Sequence, residues 1–284
     1  MDSRFVVELV RFLPQGFISR GWGFIARRKR PRPLIHWLKK TFIKLNGLNM
    51  QEALRPIESY QTLEDLFIRQ LKPGIHQICE KEQALVSPVD ATLGACGLIE
   101  SGTLLQVKGR NYGLARLLQD AEMARRIDGG NYMTFYLSPK DYHRIHCPVA
   151  GHIVQSQVIC GRLFPVFPKA VATIDELFAR NERLITYIKA VNHGLVAVVK
   201  VGATLVGRIT TMYDPTLRTN RGSKNIKTTR YTPPIPINRG AELASFELGS
   251  TIVLLSEKNL FTQRVFAAGQ KIRMGTEIGQ IENA

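Results

Sequence analysis

Four side chains in this 284-residue sequence are of the types that nucleophilic and acid–base chemistry uses. Ser250 comes directly after Gly249, and Asp90 comes after a Pro-Val turn. His143 and His146 lie three residues apart in a polar stretch that follows a strand-like run. An Asp/His/Ser set can remove the hydroxyl proton of a serine and make it a nucleophile. Because Ser250 is not in a Gly-x-Ser-x-Gly sequence, the α/β-hydrolase elbow is absent.

The same residues also permit plainer interpretations. His143 and His146 could ligate a metal, but no third ligand with matching spacing is visible, so no metal site is predicted. Either histidine could instead be structural, within a turn. Histidine is also the side chain best suited to proton transfer near neutral pH. Ser250 could simply follow a glycine bend at the entrance of a buried strand.

The elements that must position these residues are mostly short strands. Strands are predicted at 132–137, 152–159, 184–191, 195–212 and after Gly249, with a helix at about 113–126 and a capping box at 173–176 that opens a short helix. The fold class is therefore α+β, mainly β, with a sandwich- or barrel-like core of short strands and N-terminal amphipathic helices. We expect an N-terminal helical region over 1–72 and a β-rich catalytic domain over 73–284.

Basic charge is concentrated at the N-terminus. Of the net charge of +16, residues 1–50 contribute +9, from eleven basic and two acidic residues. An amphipathic helix at 4–13, followed by aromatic and basic residues, is typical of a segment in a membrane interface. A basic helix packed on its own domain is the alternative. No stretch reaches 18 apolar residues, no signal-peptide pattern is evident, and no nucleic-acid reader motif accompanies the charge.

Two further features bear on location and function. The four cysteines show no CxxC spacing, which favours a reducing compartment. Residues 214–240 contain six basic residues and four prolines, and they are interpreted as a long exposed loop.

Taken together, six motifs in one order resemble the bacterial membrane-associated phosphatidylserine decarboxylases, and the resemblance covers nearly the whole chain. They are SPVD at 87–90, KGRNY at 108–112, YLSPKDYHRIH at 136–146, LFARNER at 177–183, VGATLVG at 201–207 and FELGST at 246–251. The chain departs from the family pattern at Ala91 and Cys147, where glycine and methionine are usual, and no reacting group is lost.

The resemblance implies a proenzyme that cuts itself between Gly249 and Ser250, into chains of 249 and 35 residues. The Ser250 hydroxyl would attack the Gly249 carbonyl, and elimination would leave dehydroalanine, which becomes a pyruvoyl group, the built-in cofactor. By the family pattern Asp90 orients His146, and His146 is the base for Ser250. His143 matches the histidine of the decarboxylation step.

The implied reaction is decarboxylation of phosphatidylserine to phosphatidylethanolamine through a Schiff base with the pyruvoyl group. The implied partners are the lipid substrate and an anionic membrane surface, without nucleic acid. The two chains would stay associated, and the resemblance is compatible with a homodimer. The implied location is peripheral, on the cytoplasmic side of the cell membrane. Rival interpretations are a serine hydrolase that uses Asp90, His146 and Ser250, a non-catalytic basic membrane- or nucleic-acid-binding module, and a pyruvoyl enzyme acting on a soluble amino acid.

Overall fold

The computed structural model describes residues 15–107, 110–191, 194–204, 208–220, 225–247, 250–264 and 266–282. The helices are α1 (Gln15–Ala26), α2 (Arg32–Asn46), α3 (Leu63–Phe67), α4 (Leu114–Leu118), α5 (Ala121–Ile127), α6 (Pro168–Val171) and α7 (Leu177–Arg180), with a 3₁₀ turn at Ile57–Ser59. The strands are β1 (Ala84–Val86), β2 (Ala91–Leu98), β3 (Thr103–Val107), β4 (Arg110–Gly113), β5 (Asn131–Leu137), β6 (Arg144–His146), β7 (Gly151–Ile159), β8 (Arg183–Ala190), β9 (Leu195–Val201), β10 (Ile209–Thr211), β11 (Lys227–Ile237), β12 (Glu242–Phe246), β13 (Ser250–Ser256), β14 (Phe261–Gln263), β15 (Lys271–Ile272) and β16 (Glu277–Ile281).

An eight-stranded antiparallel sheet, in the order β11-β7-β8-β9-β13-β5-β2-β15, forms the centre of the protein. Strand β13 lies between β9 and β5, and the alternation of side chains across a strand explains how it buries both faces. Val253 and Leu255 belong to one core cluster, whereas Ile252 and Leu254 belong to the other.

Different layers cover the two faces of this sheet. The first cluster contains apolar residues of the short helices α4 to α7, among them Leu117, Ile127 and Phe178. The second contains residues of two three-stranded sheets, β1-β16-β14 and β10-β12-β6. This arrangement confirms the predicted α+β, mainly β class, with sheet packed on sheet on one side.

Helices α1 to α3 form a separate small core at the N-terminal end. Leu63, Leu66 and Phe67 of α3 are buried with Ala26, and Trp22 packs against them. The Thr62 hydroxyl caps α3 by accepting from the Asp65 N–H. The helix predicted at 4–13 lies outside the described residues, and the boundary between the 1–72 and 73–284 regions stays a prediction. Within the described ranges, no helix is long and apolar enough to cross a membrane.

The largest difference from expectation is in residues 214–240. This segment is not one long loop, because β11 occupies Lys227–Ile237 and pairs with β7 at the edge of the large sheet. Proline lacks the N–H that a central strand needs, but an edge strand has one side without a neighbour and tolerates it. The pairing with β7 shifts register between Arg230 and Ile235, which brackets two of the prolines.

Two helical predictions were also inexact. The single helix expected at 113–126 is two helices, since Gln119 has a φ of 47° and Asp120 caps α5 instead. The capping box expected at 173–176 is wrong: the Thr173 hydroxyl donates to Lys169, and Glu176 has left-handed backbone geometry before α7.

Candidate active site

One end of the large sheet brings the predicted site segments together. Ser250, the first residue of β13, pairs with Leu137, the last residue of β5. On the other side of β5, Thr92 pairs with Tyr136, which places Asp90 just before the start of β2. Because neighbouring strands lie about 4.8 Å apart, the backbones of Ser250 and Asp90 are separated by about two strand spacings, or ~10 Å.

The segment that carries both histidines leaves the same end of β5 and is held by its own turn. The Ser138 N–H donates to an Asp141 carboxylate oxygen at 2.7 Å, and the Asp141 N–H returns to the Ser138 carbonyl at 2.9 Å. The Phe246 N–H then donates to the His143 carbonyl at 3.0 Å. His143 is therefore fixed beside the segment that leads from β12 to Ser250.

His143 is buried in an apolar setting with one ring nitrogen unused. Its Nδ1 donates to the Asp141 carbonyl at 2.8 Å, and its ring centre lies 3.9 Å from that of Phe67. No described residue bonds to its Nε2. Burial is the main reason that the pKa of His143 is lowered to about 3, and the positive charge of Arg69 lowers it further. The hydrogen bond to the Asp141 carbonyl and the charge of Asp90 raise the pKa and only partly offset these effects. The ring is neutral at physiological pH, with a buried lone pair on Nε2.

His146 is also neutral, but both of its nitrogens have partners. Its Nδ1 donates to the Gly240 carbonyl at 2.8 Å, so its Nε2 accepts from the Tyr142 hydroxyl at 3.1 Å. Burial is the main cause of its lowered pKa. His146 would have to release Tyr142 before it could take a proton from another group.

Asp90 contacts a histidine that sequence reasoning did not select. His76 Nε2 lies 2.8 and 2.9 Å from the two carboxylate oxygens of Asp90, and the Met274 N–H donates to Asp90 Oδ1. Among the described contacts, none joins Asp90 to His146, so the direct pairing implied by the family pattern is not seen. The His76 ring lies 5.1 Å from that of Tyr142, and the Tyr142 hydroxyl bonds to His146. Tyr142 therefore connects the two histidines. Nothing in the sequence around His76 marked it, because its contact with Asp90 is purely tertiary.

A cavity of about 210 Å³ opens beside Asp90. Its wall includes Arg69, which is 4% exposed and donates from Nη2 to the Lys140 carbonyl at 2.8 Å. The Nε and Nη1 atoms of Arg69 have no acceptor among the described residues. Around it the lining carries charges of both signs, from Lys140, Lys271, Arg273, Glu52, Asp90 and Asp141.

The predicted cleavage site is only partly described. Leu248 and Gly249 lie outside the described residues, and Ser250 is described by its backbone pairing alone. The neighbouring Thr251 is buried, and its hydroxyl has no partner in the described part of the chain. That part also holds no group of three or more His, Cys, Asp or Glu side chains arranged for a metal ion.

Comparison with known proteins assigns the family. The family model described as phosphatidylserine decarboxylase matches residues 63–280. The chain belongs to the phosphatidylserine decarboxylase family. A phosphatidylserine decarboxylase proenzyme of Anaeromyxobacter sp. (strain K) is 39% identical over 282 residues, which cover 98% of this chain and 99% of that protein. The proenzyme of Myxococcus xanthus (strain DK1622) is also 39% identical, over 99% of this chain and 100% of its own.

A third relative shows the same level of identity. The corresponding proenzyme of Brevibacillus brevis (strain 47 / JCM 6285 / NBRC 100599) is 39% identical over 91% of each chain. The chain is accordingly a decarboxylase and a lyase, and the relatives are named as proenzymes. Membership in the phosphatidylserine decarboxylase family confirms the resemblance seen in the six motifs.

Proposed function

We propose that this decarboxylase cuts itself before Ser250 and then converts phosphatidylserine to phosphatidylethanolamine, as a step of phospholipid biosynthesis. The observation that carries the proposal is the pairing of Ser250 with Leu137. This pairing puts the serine beside the residue that directly precedes the 138–146 segment, which contains both candidate histidines. Asp90 comes to the same end of the sheet through β2.

The proposed cleavage needs only groups of this chain and one water. The Ser250 oxygen bonds to the Gly249 carbonyl carbon, and the peptide C–N bond breaks, so the amide becomes an ester. Loss of the Ser250 α-proton expels Gly249 as a carboxylate and leaves dehydroalanine. Its imine tautomer takes up water and releases ammonia, which leaves a pyruvoyl group. As the family pattern has it, His146 accepts the serine proton and Asp90 supports His146; the contacts through His76 and Tyr142 give Asp90 an indirect route.

The site fits a pyruvoyl group, because polar atoms are buried there without partners. The His143 Nε2 and the Thr251 hydroxyl are both buried and unbonded within the described ranges. A pyruvoyl group supplies a carbonyl that condenses with an amine and accepts electrons from a leaving carboxyl group. Near it, the Nε2 lone pair of the neutral His143 would accept a proton from the substrate ammonium and return it to carbon after carbon dioxide leaves, and Phe67 would keep water away from the ring. His143 is therefore proposed for the proton returned during decarboxylation.

The cavity beside Asp90 is proposed to receive the lipid head group. A phosphatidylserine head group carries an ammonium and two anions, so it needs a wall with charges of both signs. The Arg69, Lys140 and Lys271 side chains supply positive charge there, and the acidic residues face the ammonium. The buried and incompletely bonded Arg69 favours an anion nearby, because an arginine keeps its charge when buried.

The two chains produced by cleavage are proposed to remain together. Strand β13 of the small chain is bonded on both sides, to β5 and β9 of the large chain. In addition β15 pairs with β2, and β16 pairs with β1. Separation would expose the apolar faces of β13, which belong to both main core clusters.

Peripheral membrane binding is proposed for the N-terminal helices, on the cytoplasmic side. Large apolar side chains of α1 and α2 face outward, and Phe17, Trp37 and Leu45 are at least 60% exposed. Basic residues accompany them, and Lys29, Arg30 and Arg32 line a cavity of about 790 Å³ beside α2. Exposed aromatic and aliphatic side chains next to basic ones are typical of a surface that enters the interface of an anionic membrane.

Intact mass spectrometry together with a decarboxylation assay tests the proposal. We expect two chains of 249 and 35 residues, with a pyruvoyl-blocked N-terminus on the smaller, and release of carbon dioxide from phosphatidylserine in mixed micelles. Ser250→Ala should remain one chain and be inactive. A wild-type protein that stays whole and hydrolyses esters would support the serine hydrolase instead. A whole, inactive protein that only binds vesicles or RNA would support the binding module.

A further inference from the structure

Two glutamates and two arginines form a cluster directly before the proposed cleavage bond. Glu247 comes two residues before Gly249, and its side chain is 8% exposed. Its Oε1 accepts from Arg208 Nε at 2.6 Å, and its Oε2 accepts from Arg27 Nη1 at 3.3 Å. The Glu247 N–H also donates to the Arg208 carbonyl at 2.9 Å. Both the backbone and the side chain of Glu247 are therefore fixed.

Glu64 completes the cluster. Its Oε1 lies 3.5 Å from Arg27 Nη1, the same nitrogen that donates to Glu247, so the two carboxyl groups lie close together. Two carboxyl groups that share a site disfavour the ionisation of both, and one of them keeps its proton more readily. Burial raises the pKa of Glu64 to about 8, helped by the neighbouring carboxyl group of Glu247 and opposed by both arginines. At neutral pH this raised pKa keeps Glu64 protonated.

The four residues come from four separate parts of the fold. Arg27 follows α1, Glu64 lies in α3, Arg208 precedes β10 and Glu247 follows β12. Of these, α1 carries outward-facing apolar residues such as Phe17 and Phe24. Arg27 is thus a direct contact between a helix proposed to lie at the membrane and the segment proposed to be cut.

The position of Glu247 gives the cluster a role in the reaction. Only residues 248 and 249 separate it from Ser250, which the sheet holds through Leu137. Glu247 and Ser250 are thus held on either side of the proposed cleavage bond. Attack within a chain depends steeply on such placement, and a displacement of about 1 Å can cost on the order of a hundredfold in rate.

We propose that Arg27, Glu64 and Arg208 are positioning residues for self-cleavage, which act by holding Glu247 while β13 holds Ser250. The inference rests on the proposed self-cleavage. It goes beyond that proposal by assigning part of the cleavage apparatus to the N-terminal helices. Once the chain is cut, the segment that the cluster holds no longer carries a reacting bond, so decarboxylation per cut molecule should not depend on it.

The test follows the cut fraction with time in full-length protein made by cell-free synthesis in detergent. Arg27→Gln should slow cleavage about tenfold or more, and Glu64→Ala should do the same. Arg126→Gln is the matched control, because it breaks another Arg–Glu pair, 2.7 Å from Glu257 and remote from the site. It should cleave at the wild-type rate. Activity per cut molecule should match the wild type in all three variants.

The pH profile separates positioning from general stability. Wild-type cleavage should slow above about pH 8, as Glu64 loses its proton and the two carboxylates repel each other. Glu64→Gln keeps a donor and cannot ionise, so it should cleave near the wild-type rate at pH 7 and lose this alkaline decline. Cleavage at the wild-type rate in both Arg27→Gln and Glu64→Ala would overturn the proposal. It would also be overturned if the cleavage rate of Glu64→Gln declined above pH 8 as in the wild type, whatever the melting temperature of the variant. A wild-type chain that never cuts would instead refute the self-cleavage itself.

Discussion

The Asp90 carboxylate and the His76 imidazole form a close pair, with Nε2 2.8 and 2.9 Å from the two oxygens. Their side chains are largely enclosed, at 21% and 8% exposed. Through Tyr142, which contacts both rings, His76 also reaches His146. The carboxylate and the candidate base are therefore connected through two intervening side chains.

We expect His76→Ala to slow self-cleavage on the order of tenfold to a hundredfold, within the range of a lost acid–base contribution. The variant leaves Asp90 with the Met274 N–H and removes the ring that orders Tyr142. The measurement is the fraction of cut chain with time on denaturing gels. His152→Ala, an exposed histidine in β7, is the control and should cut normally. Normal cutting in His76→Ala would show that Asp90 acts without His76.

The two motif histidines should separate cleavage from decarboxylation. His146→Ala should stay whole, because it removes the proposed base for Ser250. His143→Ala should still cut but release carbon dioxide slowly, with loss of the proton carrier costing on the order of a hundredfold. Mass spectrometry and carbon dioxide release, measured on the same samples, give the two readouts. The opposite pattern, with His143→Ala whole and His146→Ala cut, would exchange their roles. The experiment must distinguish the two assignments, because the unbonded Nε2 of His143 is also free to accept a proton.

Burial of neutral His143 should also make the protein less stable in acid. Its pKa is about 3 in the fold, against about 6.5 when unfolded, so between these values the unfolded chain binds more protons. Stability from this group is therefore full above about pH 6.5 and is lost as the pH falls toward 3. Urea unfolding of the uncut Ser250→Ala form measures it. Adding His143→Leu should reduce the loss between pH 7 and 4.5, whereas adding His152→Ala should not.

The sequence predicted the strands of the site better than their contacts. Short continuous apolar runs after Gly249 and at 132–137 mark buried strands, and the motif around 136–146 places both histidines after one of them. The prolines of β11 misled the prediction, because composition does not distinguish an edge strand from a loop. His76 and the Arg27–Glu247 contact could not be predicted, since each joins residues through tertiary packing with no local pattern.

The head-group cavity gives a prediction about substrate affinity. Lys140→Gln and Lys271→Gln should each raise the KM for phosphatidylserine about three- to fivefold with little change in kcat, as expected for an exposed charge that contributes up to about 1 kcal/mol. Soluble glycerophosphoserine should inhibit the wild type more strongly than either variant. Lys169→Gln in α6, exposed and outside the cavity lining, is the control. Equal inhibition of all four proteins would place the head group elsewhere.

Membrane binding must be tested without disturbing Arg27, because that residue contacts Glu247. Deleting residues 1–30 removes the outward-facing residues of α1, among them Phe17 and Phe24, together with this contact, so it should release the protein from anionic vesicles and also slow cleavage. Phe17→Ser with Trp37→Ser removes two outward-facing aromatic side chains and leaves the cluster in place. Burial of a large apolar side chain contributes roughly 1.5–3 kcal/mol, so the double variant should weaken vesicle binding at least tenfold.

Flotation with phosphatidylserine-containing vesicles measures binding, and gels of the same samples measure cutting. Undiminished flotation of the double variant would exclude this face as the membrane contact, and slowed cutting in it would show that the aromatic residues act on the cleavage site as well.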